Sequence, residues 1–354
     1  RMVSLQASVF LTGVTGVGKS VILNNLLAQM KEIANVVPVF ITFSAQTQAM
    51  QTQLTIESKL DRKRKTLLGA PVNKTVAILV DDVNMPLVEE YGAQPPIELL
   101  RQFQDQRGFY DRKKHEWKDI ENATLLLCAA PPGGGRKSLT PRFTRHSMVL
   151  CMPPTSEDAM STIFGLIISG FLHKFKQEIM TLSSAVVSST IDVYNKCGDE
   201  LLPTPMRPHY TFNLRDVSKV FQGMLMVKPM HVPSSDAFTR LWYHELSRVF
   251  CDRLISHEDK DWFYKTAMDL LRSRFRVTDV DIEVWNRIMW CDFLRPGTDA
   301  RVYEETKDML KLQRLMEDYG DEYNLTHTAQ MNLVFFKDCV EHISRIARIF
   351  RQPR

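Results

Sequence analysis

The sequence predicts an α/β fold, with a parallel sheet faced by helices in its first part and a helical domain behind it. Three observations point there. Over the first 150 residues short apolar runs alternate with amphipathic stretches, the arrangement of strands joined by crossover helices. A glycine-rich octet separates the first apolar run from the first amphipathic stretch, as in a strand–loop–helix phosphate site. After Pro153 and Pro154 the pattern changes, and from Glu157 onward apolar residues recur at three and four spacing, which is helical.

Taken along the chain, the candidate strands are Ser8 to Thr12, Val37 to Thr42, Val76 to Val80, Ala123 to Ala129 and Ser147 to Met152. Each is short and apolar, the length and make-up of a buried strand. Helical periodicity is expected in Val21 to Met30, Ala159 to Ile179, Asp216 to Leu225, Asp236 to Ile255 and Asp259 to Phe275. Beyond Val277 aromatic and acidic residues mix through Trp285 to Tyr323, with a turn at Pro296-Gly297. A last helix, Met331 to Phe350, ends at Gln352-Pro353, and its apolar positions, Leu333, Val334, Val340, Ile343 and Phe350 among them, form one face that needs a partner. Trp242, Trp262 and Trp285 fall within amphipathic pattern and are expected in the core.

Composition narrows the function classes. Of 354 residues, 44% are hydrophobic and 24% charged, which excludes wholesale disorder. The net charge of +4 is spread over 45 basic and 41 acidic residues, so no field argues for nucleic acid. The basic runs Arg62 to Lys65 and Arg112 to Lys114 read as solvated faces. Ala123 to Ala130 and Ile163 to Leu172 are the most apolar stretches, well short of the roughly 20 residues of a membrane helix. Six scattered cysteines without a C-x-x-C pair suit a reduced, cytoplasmic setting rather than a disulfide or zinc framework. Beginning at Arg1 and almost at once in a strand, the chain reads as an excerpt of a longer one.

Chemistry concentrates in Gly13-Val14-Thr15-Gly16-Val17-Gly18-Lys19-Ser20, which satisfies G-x-x-x-x-G-K-[ST] between a strand and a helix. Glycines let successive N–H groups turn toward phosphate oxygens, and the new helix adds its positive end. Gly13, Thr15, Gly16, Val17, Gly18, Lys19, Ser20 and Val21 are therefore the candidate binding positions for ATP, ADP or another nucleotide, with Lys19 on the β- and γ-phosphates and Ser20 on Mg2+. A neighbouring strand must supply carboxylates. Lys74 to Asp82 does so: Asp81 is placed to hold Mg2+ through water, and Asp82 sits where a glutamate ordinarily polarises the nucleophile. His244-Glu245 opens like the zinc motif H-E-x-x-H, but Arg248 occupies the fifth position, so no metal pair forms.

The strings Asp81-Asp82-Val83-Asn84-Met85-Pro86, Tyr91 to Gln102, Pro131-Pro132-Gly133-Gly134-Gly135-Arg136 and Thr140 to His146 resemble the third AAA+ module of axonemal dynein heavy chains. Phe43 to Thr47, Ile56 to Ser58, Trp242 to Leu254 and the final segment from Met331 extend the likeness over effectively the whole chain. The resemblance implies an AAA+ P-loop NTPase: a large α/β domain at 1–153, a helical lid at 154–276, and at 277–354 a linker and first helix leading to the next module. Arg215, after Asn213-Leu214, would be the lid's phosphate sensor, and Arg142 or Arg145 the arginine finger acting on the preceding module's nucleotide. Its partners would be neighbouring modules of the same heavy chain, other dynein chains and, through parts outside this sequence, microtubules of a ciliary or flagellar axoneme in the cytoskeleton.

Two positions depart from the cytoplasmic dyneins, which have Asp-Glu where Asp81-Asp82 stands and an asparagine sensor where Ala130 stands. Both departures touch water activation, so nucleotide binding is expected to survive better than hydrolysis. The adenine-contacting segment of the family would lie just before Arg1. The resemblance implies a regulatory nucleotide site gating ATP-driven, minus-end-directed motility; an actively hydrolysing site and a structural spacer with trapped ADP remain the alternatives.

Overall fold

In the computed structural model, residues 5–278, 280–295 and 301–352 are described. The chain divides into two compact units, Arg1–Thr155 and Ser156–Arg354.

The first unit runs β1 (Ser8–Thr12), α1 (Lys19–Ile33), β2 (Val36–Thr42), α2 (Ala49–Glu57), β3 (Asp61–Arg64), β4 (Leu67–Gly69), β5 (Thr75–Asp81), α3 (Pro95–Gln106), β6 (Gly108–Tyr110), β7 (Trp117–Glu121), β8 (Ala123–Ala129), α4 (Pro141–Thr144) and β9 (Ser147–Cys151). Its main sheet has the order β2-β5-β8-β1-β9 with every pairing parallel. Alternate side chains feed two cores. Val9, Leu11, Leu79 and Leu126 join Leu23 and Leu27 of α1 on one face, while Phe10, Ile78 and Leu125 meet Ile56, Leu100 and Phe103 of α2 and α3 on the other. A sheet covered on both faces needs unbroken apolar strands, which is why all seven residues of β8 are buried. The parallel arrangement sends the carboxyl ends of β1, β5 and β8 to one edge, where such folds build ligand sites.

A second sheet, β3-β4-β7-β6, is absent from the sequence expectations. The basic run at Arg62 lies on its exposed strand β3, so it is solvated as expected but extended. The run at Arg112 forms a turn whose Lys113 and Lys114 amides donate to Asp111 Oδ1 at 2.9 and 3.0 Å.

The second unit contains α5 (Glu157–Leu172), α6 (Gln177–Met180), α7 (Ser183–Glu200), α8 (Leu214–Met224), α9 (Ser235–Leu246) continued by a π-helical turn at Ser247–Cys251, α10 (His257–Arg274), α11 (Ile282–Asn286), β10 (Met289–Cys291) paired antiparallel with β11 (Glu304–Thr306), α12 (Met309–Thr326) and α13 (Lys337–Arg351). The helix expected over Ala159 to Ile179 breaks after Leu172, where the Phe175 amide turns back onto the Leu172 carbonyl at 2.8 Å. The last helix starts at Lys337 rather than Met331, because the Asn324 side chain brackets Met331 in a non-helical segment, accepting from its N–H at 2.7 Å and donating to its carbonyl at 3.0 Å. Leu333 and Val334 are consequently exposed and lie off that helix. The turn expected at Pro296-Gly297 and the stop at Pro353 lie outside the described residues.

The stretch after residue 276 belongs to the same unit as the helices before it. It has a small core of Met289, Cys291, Leu312, Met316, Phe335 and Val340. It is also tied to α9 by a buried ion pair, in which Arg348 of α13 donates to Glu245 at 2.9 Å through Nε and Tyr303 donates to the same carboxylate. Glu245 is fully buried and His244 nearly so, its Nδ1 donating to the Ile288 carbonyl at 3.1 Å. Among the described residues no cluster of three or more His, Cys, Asp or Glu side chains forms a metal site. Trp242 and Trp285 are buried in the main helical core and Trp262 packs against it.

Candidate nucleotide site

The phosphate loop joins β1 to α1, and its glycines are conformationally required. Gly16 and Gly18 have φ of 90° and 88°, in the left-handed region that side chains disfavour. At Gly13 the limit is space: a Cβ there would lie 2.5 Å from the Met152 carbonyl oxygen. Gly18 is also the N-cap of α1, and no side chain caps that helix. Its first amides are therefore available to an external acceptor, which is the test a phosphate cradle must meet. Thr15 and Val17 sit in the turn, and Val21, on the first helical turn, is 71% exposed beside the half-buried Ser20.

Lys19 is buried despite its charge. Its Nζ donates to the carbonyls of Gly13 and Val14, both at 2.8 Å. Burial pushes the ammonium below its usual pKa, the nearby Cys128, Asp81 and Asp82 act in the opposite sense, and Arg136 adds to the lowering. Cys128, at the end of β8, is pushed up to about 12 by burial and then by Asp81, so its thiol is inert at neutral pH.

Asp81 ends β5, and its Oδ1 accepts the Asp82 amide at 3.0 Å. Asp82 has φ 51°, a left-handed position. Its carboxylate stands 3.9 Å from Nε of Arg136. Arg136 closes the Gly133-Gly134-Gly135 turn, in which Gly133 and Arg136 exchange two backbone hydrogen bonds of 3.1 Å. Asn84 stitches the β5 and β8 loops together: its Nδ2 donates to the Ala130 carbonyl at 2.8 Å and its own carbonyl accepts from the Lys137 amide at 3.0 Å. The fold thus gathers Lys19, Asp81 and Asp82, and adds Arg136, to which the sequence assigns no role. A lone arginine after three glycines, one strand over from the phosphate loop, was the available signal.

The other expected residues have surroundings of their own. Arg142, on α4, is exposed and has no ion-pair partner among the described residues. Arg145 is engaged: its Nη2 reaches Asp105 Oδ1 at 3.2 Å and its Nε donates to His146 at 2.8 Å. Arg215 belongs to the second unit, where its amide donates to Asn213 Oδ1 at 2.9 Å as part of the capping box that opens α8. Its side chain is exposed. For a metal, the fitting donors are the Ser20 hydroxyl and the Asp81 carboxylate, a sparse oxygen set suited to Mg2+, which keeps waters and takes further ligands from phosphates.

Comparison with known proteins agrees with this geometry. Residues 1–155 match the family model described as the P-loop containing dynein motor region, and residues 186–285 match that of the AAA+ lid domain. Dynein axonemal heavy chain 6 of Homo sapiens is 47% identical over 358 residues, covering 100% of this chain and 9% of that protein. Dynein axonemal heavy chain 1 of Mus musculus is 41% identical over 353 residues, 96% of this chain and 8% of that one. Dynein axonemal heavy chain 3 of Mus musculus is 39% identical over 363 residues, with 98% and 9% covered. The chain therefore spans about a tenth of the length of these relatives. A solved structure of NtrX from Brucella abortus in complex with ADP aligns at a TM-score of 0.41 and 14% identity over 78% of this chain and 60% of that one, too loose a likeness to bear on the site. With a P-loop in place and this chain matched along its length by such relatives, the chain belongs to the axonemal dynein heavy chains, as an AAA+ module with its helical lid.

Proposed function

We propose that this module is a regulatory nucleotide site, the third of the motor ring, which holds ATP or ADP with Mg2+ and gates minus-end-directed movement along axonemal microtubules. The observation that carries it is the loop itself: a glycine-shaped turn, an uncapped helix start, and a buried Lys19 within electrostatic reach of Asp81. Lys19 exchanges its two carbonyl partners for phosphate oxygens, Ser20 and Asp81 hold the metal, and the backbone of Gly13 to Val21 lines the phosphate tail. Mg2+ supplies charge neutralisation between the phosphates. Arg215 senses the phosphates from the lid, a role that rests on the sequence resemblance.

Regulation rather than rapid turnover is supported by two features. The Asp82 carboxylate is one methylene shorter than the glutamate that the resemblance leads one to expect there, and Ala130 has no polar side chain to orient water. Of the two finger candidates, Arg142 is favoured because it has no ion-pair partner among the described residues, whereas Arg145 is held by Asp105. Calorimetric titration with ADP and a slowly hydrolysed ATP analogue, in the presence of Mg2+, tests the site. Lys19→Ala removes a charge-assisted contact of ~1.5–3 kcal/mol and should weaken both ligands by roughly 10- to 100-fold. Unchanged affinity would remove the P-loop from this account.

A further inference from the structure

From the geometry around Asp82 we infer that Arg136 is this module's own γ-phosphate sensor, paired with Asp82 when no third phosphate is present and transferring to that phosphate when one is. The inference rests on the nucleotide reading of the P-loop and goes beyond it by assigning the discrimination between tri- and diphosphate.

Three observations carry it. First, the Asp82–Arg136 contact is an ion pair without a hydrogen bond: the nearest approach is 3.9 Å, and the Nε of Arg136 is buried with no hydrogen-bond partner. A buried guanidinium donor left unspent is costly, and a planar fork is suited to phosphate oxygens. Second, Arg136 lies close enough to Lys19 for its charge to oppose that of the ammonium. The carboxylates of Asp81 and Asp82 act on the same ammonium in the opposite sense. Third, Ala130, which stands where the resemblance to the dynein family leads one to expect a polar sensor, has nothing to offer a phosphate. Arg136 follows it by six residues on the same loop, and the Asn84 bond to the Ala130 carbonyl holds the base of that loop against the Asp82 turn.

The glycines make the transfer cheap. Gly133, Gly134 and Gly135 have φ of 130°, 57° and 89°, and a Cβ at any of them would meet nothing within 4 Å. Packing therefore does not require glycine there; the backbone conformation does. Such a turn can re-aim the arginine by small dihedral changes. When the guanidinium moves to phosphate, Asp82 loses its partner, so one event both registers the third phosphate and frees the carboxylate.

The test compares affinities for ADP and for adenosine 5′-O-(3-thiotriphosphate), each with Mg2+, in the full chain. Arg136→Ala should weaken the triphosphate analogue by roughly tenfold, as expected for one charge-assisted contact, while ADP stays within about twofold. Arg136→Lys, which keeps charge without the fork, should fall between. Asp82→Asn removes the competing carboxylate and should tighten the triphosphate analogue severalfold in the presence of Arg136 but not in the Arg136→Ala background, a coupling read from the double-mutant cycle. Equal loss for both ligands, no loss for either, or additive effects in the cycle would overturn the assignment while leaving the P-loop reading intact. A wild-type chain that binds neither ligand overturns both.

Discussion

At the scale of single residues, Asp82 shows how backbone and chemistry compete. By its resemblance to the family it stands where a glutamate, one methylene longer, is expected. Its φ of 51° adds a second cause: in the left-handed region Asp and Asn are tolerated because their short side chains bond locally, whereas longer side chains cost about 1–2 kcal/mol. Asp82→Glu, which lengthens the carboxylate arm, should therefore destabilise the first unit by about 1 kcal/mol, lowering its melting temperature by roughly 2–4 °C. Asp82→Asn should leave the melting temperature unchanged. In a ring-complete protein the same Asp82→Asn change should leave the lifetime of ATP at this site as it was. Faster decay in the parent than in the variant would establish a hydrolysing site instead.

At the scale of elements, the main sheet was readable because its strands are covered on both faces: Ala123 to Ala129 is apolar apart from Thr124 and is found as written. The small sheet was not readable. β3 is Asp61-Arg-Lys-Arg, fully exposed, and three-residue strands such as β4 and β6 carry no periodicity. α7 escaped notice because serines and threonines, which favour caps and turns, fill its middle; Thr190 is accommodated by donating to the Val186 carbonyl at 2.7 Å and accepting from Trp242 at 2.9 Å. The phosphate loop and Asp81-Asp82 were legible in order and spacing. Arg136 was not, since its meaning depends on which loop faces which across parallel strands. α9 supplies a pH-dependent element. Burial, then the charges of Arg248 and Arg348, hold His244 well below the ordinary 6.5. The unfolded chain thus binds a proton that the folded one refuses, so stability is full above about pH 6.5 and falls as pH drops below it, by ~1.4 kcal/mol per unit until the folded group itself titrates. His244→Asn keeps a donor for the Ile288 carbonyl but cannot titrate. Urea midpoints measured from roughly pH 7.5 down to 5.5 should fall less steeply in the variant; parallel slopes would clear His244 of this role.

At the scale of the whole chain, each unit has a core of its own: Phe10, Ile78 and Phe103 belong to that of the first, Phe164, Trp242 and Phe263 to that of the second. Cores that share no residues can melt as separate cooperative bodies. Of the five tryptophans, Trp242, Trp262, Trp285 and Trp290 lie in the second unit and only Trp117 in the first. In a Trp117→Phe variant, tryptophan fluorescence therefore follows the second unit alone, while calorimetry records both. Two calorimetric transitions are expected, one of them silent in fluorescence. A ligand held by the P-loop at a hundredfold excess over its Kd stabilises the folded state by about 2.7 kcal/mol, which in a body of this size raises melting by roughly 5–10 °C. The fluorescence-silent transition should move by that amount with ADP and Mg2+, and at the same ligand concentration Lys19→Ala, with its Kd raised roughly 10- to 100-fold, should cut the shift to about half or less. Were nucleotide to move only the transition that fluorescence sees, the binding energy would belong to the helical unit and the loop at Gly13 to Ser20 would not be its seat.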